Sequence, residues 1–413
     1  MNVRSITTLM DLAYPLDEEA IRRAGVLASQ VRAALMEAGF TVQTARLASQ
    51  PLAEVVVGRS NQEIISFAKN VEAIAQASGL EYVSLGPVQL EDPASLAELV
   101  PAILSATNGV FCSIEIARQG SGLSLLRARQ AARAVQQSST ATPDGFTNLR
   151  LAVTANVRPW SPYFPAAYHG GGGPRIALAI ESADLALEAI TNASSLEDAR
   201  QRLIAAIEDH ASRLEVAVSQ ALTGTGTAFQ GIDFSMAPFP EPARSVGAAL
   251  EALGLAGFGS AGSLAASAFV TDTLDRARFK RTGFCGLMLP VLEDSILGQR
   301  GTEGLLTVGD LLMFSAVCGT GLDTIPLPGD TSEDQLAAIL IDMGALALRL
   351  DKQLTARLMP LPGKKAGDLT AFEFEYFANS RVLAAPPAKL TRLLARDDTL
   401  DIRPRAGNQA AGR

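Results

Sequence analysis

Aromatic residues make up only 5% of this 413-residue chain, with a single tryptophan, and histidine occurs twice. Large rings therefore cannot fill the core. It must be built from Ala, Leu, Val and Ile, side chains that let helices pack closely on a buried sheet. Cysteine is equally scarce. Cys112, Cys285 and Cys318 show no CxxC spacing and no even-numbered framework, which excludes a disulfide scaffold and fits a reducing cytoplasm. Positive charge is in deficit. A net charge of −8 argues against nucleic acid as a partner, and the basic stretches at 276–281 and Lys364-Lys365 are short and local. Long hydrophobic runs are missing too: the best apolar helical stretch, 337–348, contains Asp342 and is too short for a bilayer. The N-terminal residues lack the pattern of a signal peptide. A cytoplasmic protein without a membrane partner is expected.

What is present is apolar surface. Hydrophobic residues reach 48% against 19% charged, enough for a large core. Strand-like runs at 3–12, 41–47, 81–88, 110–117, 149–155, 175–182, 231–237, 283–291, 322–327 and 354–360 alternate with helical patterns such as 17–39 and 61–78. Several of these runs are apolar on both sides, as in a parallel sheet covered on both faces. Thr331-Ser332 and Ser182 mark helix starts. The alternation predicts an α/β fold. Residues 136–145 read as a surface loop rather than a linker, so 1–402 is expected to be one domain, with a polar, disordered tail at 403–413.

One histidine, His169, stands directly before four glycines, Gly170–Gly173. A phosphate cradle follows a strand and opens a helix, whereas here the glycines precede the strand-like run from Arg175. What the stretch leaves open is a ligand-side turn at Gly170 and Gly171, or a flexible corner. His169 has the chemistry of a general acid/base, or is a hydrogen-bonded structural histidine. His210 lies within a helical pattern, expected to be exposed.

Carboxylates form a second group. Asp233 and Glu115 interrupt apolar strands, Glu293-Asp294 follow one, and Asp323 lies near Asp330. Buried carboxylates need a cation, a metal or backbone amides, and Asp233, Glu293 and Asp323 supply the oxygen ligands that Mg²⁺ or Ca²⁺ takes. Asp294 and Asp330 read as caps or turn residues. Cys318 sits in apolar surroundings that suit an inert core residue. Ser121-Gly122 opens a helical pattern and reads as a cap or an anion site.

Three stretches, "ANVRPWSPYFPAAYHGGG", "GIDFSMAPFPEPARSVGAALEALGL" and "AVCGTGLDTIPLPGDT", together with "NVRSIT" and "TARLMPLPGKKAGD", make the chain resemble domain-of-unknown-function family 711, also called uncharacterised protein family 0210. The resemblance runs from Asn2 to about Leu383. It implies a barrel similar to that of pyruvate formate-lyase and ribonucleotide reductase, with ten strands in two parallel five-stranded halves ringed by helices. The family pattern covers Asn156, Pro162, His169, Gly170, Asp233, Pro238 and Ser245. It continues through Pro290, Glu293, Asp294, Cys318, Gly321, Asp323, Asp330, Lys352, Arg357 and Asp368. The chain departs from it at Cys112 and Glu115, where Ser and Asn are more typical, and at Pro159-Trp160. A glycyl radical is excluded, because Arg381-Val382-Leu383-Ala384 carries no glycine.

The expected function is polar acid/base chemistry on a small anionic metabolite in a barrel-centre pocket, with lyase, isomerase and hydrolase reactions all open. Its catalytic residues would be His169, Asp233, Glu115 and Cys318. Ser121, Gly122, Asn156, Gly170, Gly171, Lys352 and Arg357 would bind substrate, and Asp233, Glu293 and Asp323 would hold a divalent cation. The alternative is a protein that binds or senses an amino acid or carboxylate without turnover. That reading draws on a property of the family, whose members are often encoded beside a small amino-acid-binding domain. A homodimer is the default assembly.

Overall fold

In a computed structural model of the chain, residues 1–405 are described. Eleven strands are present: β1 (Asn2–Leu9), β2 (Val42–Ala48), β3 (Tyr82–Val88), β4 (Val110–Arg118), β5 (Gly122–Ser124), β6 (Leu151–Ala155), β7 (Arg175–Glu181), β8 (Ala228–Ala237), β9 (Gly321–Pro328), β10 (Leu354–Leu361) and β11 (Thr399–Leu400). The main ladder runs β8-β7-β1-β2-β3-β4-β6-β10-β9, and β5 and β11 form a small annex on β4. Strands β1, β2, β3, β4 and β6 are mutually parallel. So are β7 with β8 and β9 with β10, and the two groups meet antiparallel at β1–β7 and β6–β10.

Nine of the ten expected strand runs are continuous strands. The run at 283–291 is not: the stretch 281–290 makes only isolated parallel bridges, to β8 at Ile232 and Met236 and to β9 at Asp323. The ladder is therefore not closed between β8 and β9. Positive φ at Gly283 and Cys285 breaks the extended geometry that a continuous strand needs.

Helices cover one face. Helix Glu18–Glu37 starts on Asp17, whose carboxylate accepts from Ala20 N at 3.0 Å, and it buries Ile21, Ala24, Ala28, Val31 and Leu35 along one stripe. Ser60 with Glu63, and Ser332 with Gln335, close capping boxes at the starts of Asn61–Ala77 and Glu333–Leu350. Val3, Ile6, Ala45 and Leu47 pack into this helix-covered core. The other face is polar in many places, with Thr44 and Arg46 alternating with Ala45 and Leu47, and Asp233 and Ser235 with Ile232 and Phe234. Burial on both faces holds as expected, but the side turned away from the helices is built for polar contacts.

That side is occupied by the connection between β6 and β7. It closes on itself where Trp160 N donates to Tyr168 O at 2.9 Å, and its tip packs Phe164 against Leu9, Ala48, Phe111 and Ala177. Ser84 Oγ donates to Ala167 O at 2.7 Å. At the C-terminal end, Arg403 is still tied down, its carbonyl accepting from Arg349 at 2.9 Å, and 406–413 of the expected tail lie outside the described residues. No helix among the described residues is long and apolar enough to cross a membrane.

Candidate functional site

A cavity with about 840 Å³ of atom-free space, open water at its mouth included, lies on the inner face. Arg4 and Arg46 reach it from β1 and β2, Asp233 and Ser235 from β8, and Arg357 from β10. Tyr163 and Phe164 reach it from the inserted loop.

An ion-pair chain forms its polar wall. Arg357 Nη2 donates to Glu293 Oε1 at 2.7 Å, Arg357 Nε pairs with Asp323, and Arg4 pairs with the second oxygen of Glu293. Burial alone would raise the Glu293 carboxyl, but Arg357 and Arg4 override it and hold the group below its ordinary range. In the ladder β1 and β10 are separated by four strands, yet one carboxylate holds an arginine from each. The sheet curls around this point.

Arg46 is different. Its Nε donates to Thr44 Oγ1 at 2.9 Å, and its guanidinium lies 5.1 Å from the Phe164 ring centroid and 5.7 Å from that of Tyr82. No carboxylate among the described residues pairs with it. Burial, then the charge of Arg4, push its pKa down to about 10. A cation in this position is stabilised by any anion that enters.

Asp233 is buried and accepts from Ser235 Oγ at 2.6 Å and from the backbone amides of Phe284 and Cys285 at 2.9 Å each. Burial raises its pKa and these donors offset the rise only in part. Gly283 makes the contact possible, because a Cβ there would come within 2.2 Å of the carboxylate. The Tyr163 hydroxyl, buried beside Arg357, finds no hydrogen-bond partner among the described residues.

The structure thus brings Asp233, Glu293 and Arg357 to one cavity, with Asp323 behind Arg357. It does not gather Asp233, Glu293 and Asp323 into a metal-binding group, and no cluster of three or more His, Cys, Asp or Glu suited to a metal occurs among the described residues. The other sequence candidates do not line this cavity. His169 is fully buried: Nδ1 meets Asp11 at 2.5 Å, Nε2 meets Gly173 O at 3.3 Å, and its ring stands edge-on to Trp160 at 4.7 Å. Its backbone N donates to Ser49 O at 2.8 Å, so the residue holds the returning limb of the loop. Gly170 lies against Trp160, where a Cβ would approach to 2.7 Å, while Gly171 faces open space. Glu115 pairs with Arg118 and accepts from Leu90 N at 3.2 Å. Asn156 begins the loop, accepting from Gln119 N and donating to Asp351, both at 3.3 Å. Ser121 closes the β4–β5 turn and Gly122 opens β5, beside the C-terminal stretch; neither caps a helix, because the next one starts on Ser124, whose side chain accepts from Arg127 N. Cys318 is buried in the core, and Lys352 donates to the carbonyls of Ser315 and Cys318.

Sequence reading missed Arg4, Arg46 and Tyr163. The first two carry the same signal as Glu115, a charge inside a strand-like run.

A family model described as "Uncharacterised ACR (DUF711)" matches residues 1–377. A UPF0210 protein of Pyrobaculum arsenaticum is 33% identical over 378 residues, covering 87% of this chain and 82% of the relative. One from Pyrobaculum islandicum is 31% identical over 347 residues, covering 80% and 76%. One from Acetivibrio thermocellus is 27% identical over 355 residues, covering 81% and 78%. With a family match over most of its length and relatives above 30% identity, the chain belongs to the DUF711 (UPF0210) family.

Proposed function

We propose that the inner cavity binds a small anionic metabolite and acts on it by polar acid/base chemistry without a radical step. The observation that carries this is Arg46, a guanidinium held between two rings at the cavity wall with no acidic partner. In this reading Arg46 binds the anion, Asp233 accepts or returns a proton, Tyr163 offers a hydroxyl, and Arg357 stabilises developing negative charge. Glu293 and Asp323 already face guanidinium groups, so the reading routes no step through a divalent cation. His169 anchors the loop. Lyase, isomerase and hydrolase reactions all fit these roles.

The reading includes a ten-stranded barrel of the pyruvate formate-lyase type, with 281–290 as its tenth, irregular strand. Its support is the pair of bridges to β8, the bridge to β9, and the Arg4–Glu293–Arg357 link across the curl. A symmetric dimer in the cytoplasm completes it.

A second reading, binding without turnover, is favoured by one observation: both oxygens of Asp233 already accept hydrogen bonds. A thermal-shift screen against carboxylic and amino acids, followed by NMR of the stabilising compounds, separates the two. An enzyme consumes the compound as wild type and binds it unchanged as Asp233→Asn, whereas a binding protein never consumes it. Acids that stabilise wild type and Arg46→Met equally sink both readings.

A further inference from the structure

The charges and rings of the cavity narrow the ligand further, on the reading that this cavity is the anion site. Arg4 and Arg357 are engaged by Glu293 and Asp323, which leaves Arg46 as the guanidinium without a carboxylate partner on the cavity wall among the described residues. Beyond it stand the carboxylates Glu293 and Asp233 and two guanidiniums, Arg4 and Arg357, that are already held by acids. One negative charge meets an unpaired cation, and a second would find only guanidiniums already paired and the carboxylates that pair them.

Much of the rest of the wall is aromatic. In a chain with 5% aromatic residues, Tyr82, Phe111, Tyr163, Phe164, Phe374 and Tyr376 all line this one cavity. Tyr82, Phe111 and Phe164 stand edge to face at 5.3 Å between successive ring centroids, and Arg46 lies over two of them. These rings fix the guanidinium and offer flat apolar surface next to it.

We infer that the ligand is a monocarboxylate with a planar apolar body: its carboxylate meets Arg46, its body packs among the rings, and polyanions are rejected.

Calorimetric titration of the full chain with phenylacetate, acetate, succinate, citrate and inorganic phosphate tests this. Phenylacetate should bind at least about tenfold more tightly than each of the others. Arg46→Met should weaken it by about 10- to 100-fold. Tyr82→Leu should weaken phenylacetate by a larger factor than acetate, and this decides the matter if Arg46→Met does not fold: equal weakening of the two overturns the planar apolar body. Succinate, citrate or phosphate binding as tightly as phenylacetate, and still through Arg46, overturns the ligand class while leaving the anion cavity intact. Phenylacetate binding that ignores Arg46→Met overturns both, as does the absence of binding by every acid.

Discussion

Arg357 donates to Glu293 at 2.7 Å with both side chains buried, and Arg4 takes the other oxygen of the same carboxylate. One acid thus bridges two cations from opposite sides of the curled sheet, and Asp323 on Arg357 balances the second charge. Glu293→Gln leaves Arg4 without an acidic partner and Arg357 with Asp323 alone, and is expected to cost about 3–5 kcal/mol, read as a lower urea midpoint at constant slope. An unchanged midpoint would show the pair to be dispensable for folding.

The same carboxylate governs acid stability. Its folded pKa lies below the ordinary value of 4.5, so its contribution is present above that pH and is lost as pH falls toward the folded value. Asp233 has the opposite sign. Its pKa is raised above 3.8, so its contribution is present below that pH and fades as pH rises through the folded value. Urea melts between pH 3 and 7 should show Glu293→Gln flattening the acid limb and Asp233→Asn steepening the net rise of stability with pH.

Arg46 should behave as a residue kept at a stability cost. It is a half-buried cation with no acid among the described residues in salt-bridge contact, and an apolar side chain of similar volume removes its desolvation cost. Arg46→Met is expected to raise the melting temperature of the ligand-free protein while losing its response to acids. A lower melting temperature without ligand would assign Arg46 to the scaffold.

His169→Ala should act through the loop. Losing the contacts to Asp11 and Gly173 and the edge-on packing with Trp160 is expected to cost about 2–3 kcal/mol. At temperatures where the variant is folded, acids should bind it as they bind wild type. Abolished binding in a fully folded variant would return His169 to the site.

Gly283→Ala tests the turn that serves Asp233. A Cβ 2.2 Å from the carboxylate, at a φ of +70°, forces the turn or Asp233 to move. About 2 kcal/mol or more should be lost, measured by thermal melting.

The strand and helix pattern was legible because apolar periodicity reports burial, and nine runs met that condition. The stretch 283–291 is as apolar as its neighbours, but Gly283 and Cys285 bend it to serve Asp233, and periodicity does not encode that. The site was less legible. His169 stood out as a rare residue, yet rarity says nothing of where a side chain points, and its two ring nitrogens are spent on Asp11 and Gly173. Asp233, Glu293 and Arg357 share a cavity across strands far apart in sequence, a proximity that only the curl of the sheet creates.

The pairing of β1 with β7 sets a timetable for biosynthesis. Asn2 lies opposite Glu181, so β1 has one edge bare until β7 emerges. At about 5–20 residues per second that wait is on the order of ten seconds or more. Throughout it the edge of Val3, Ile6 and Leu9 is open to pairing with another nascent chain. Chaperone demand should therefore concentrate on the interval between the synthesis of β1 and that of β7.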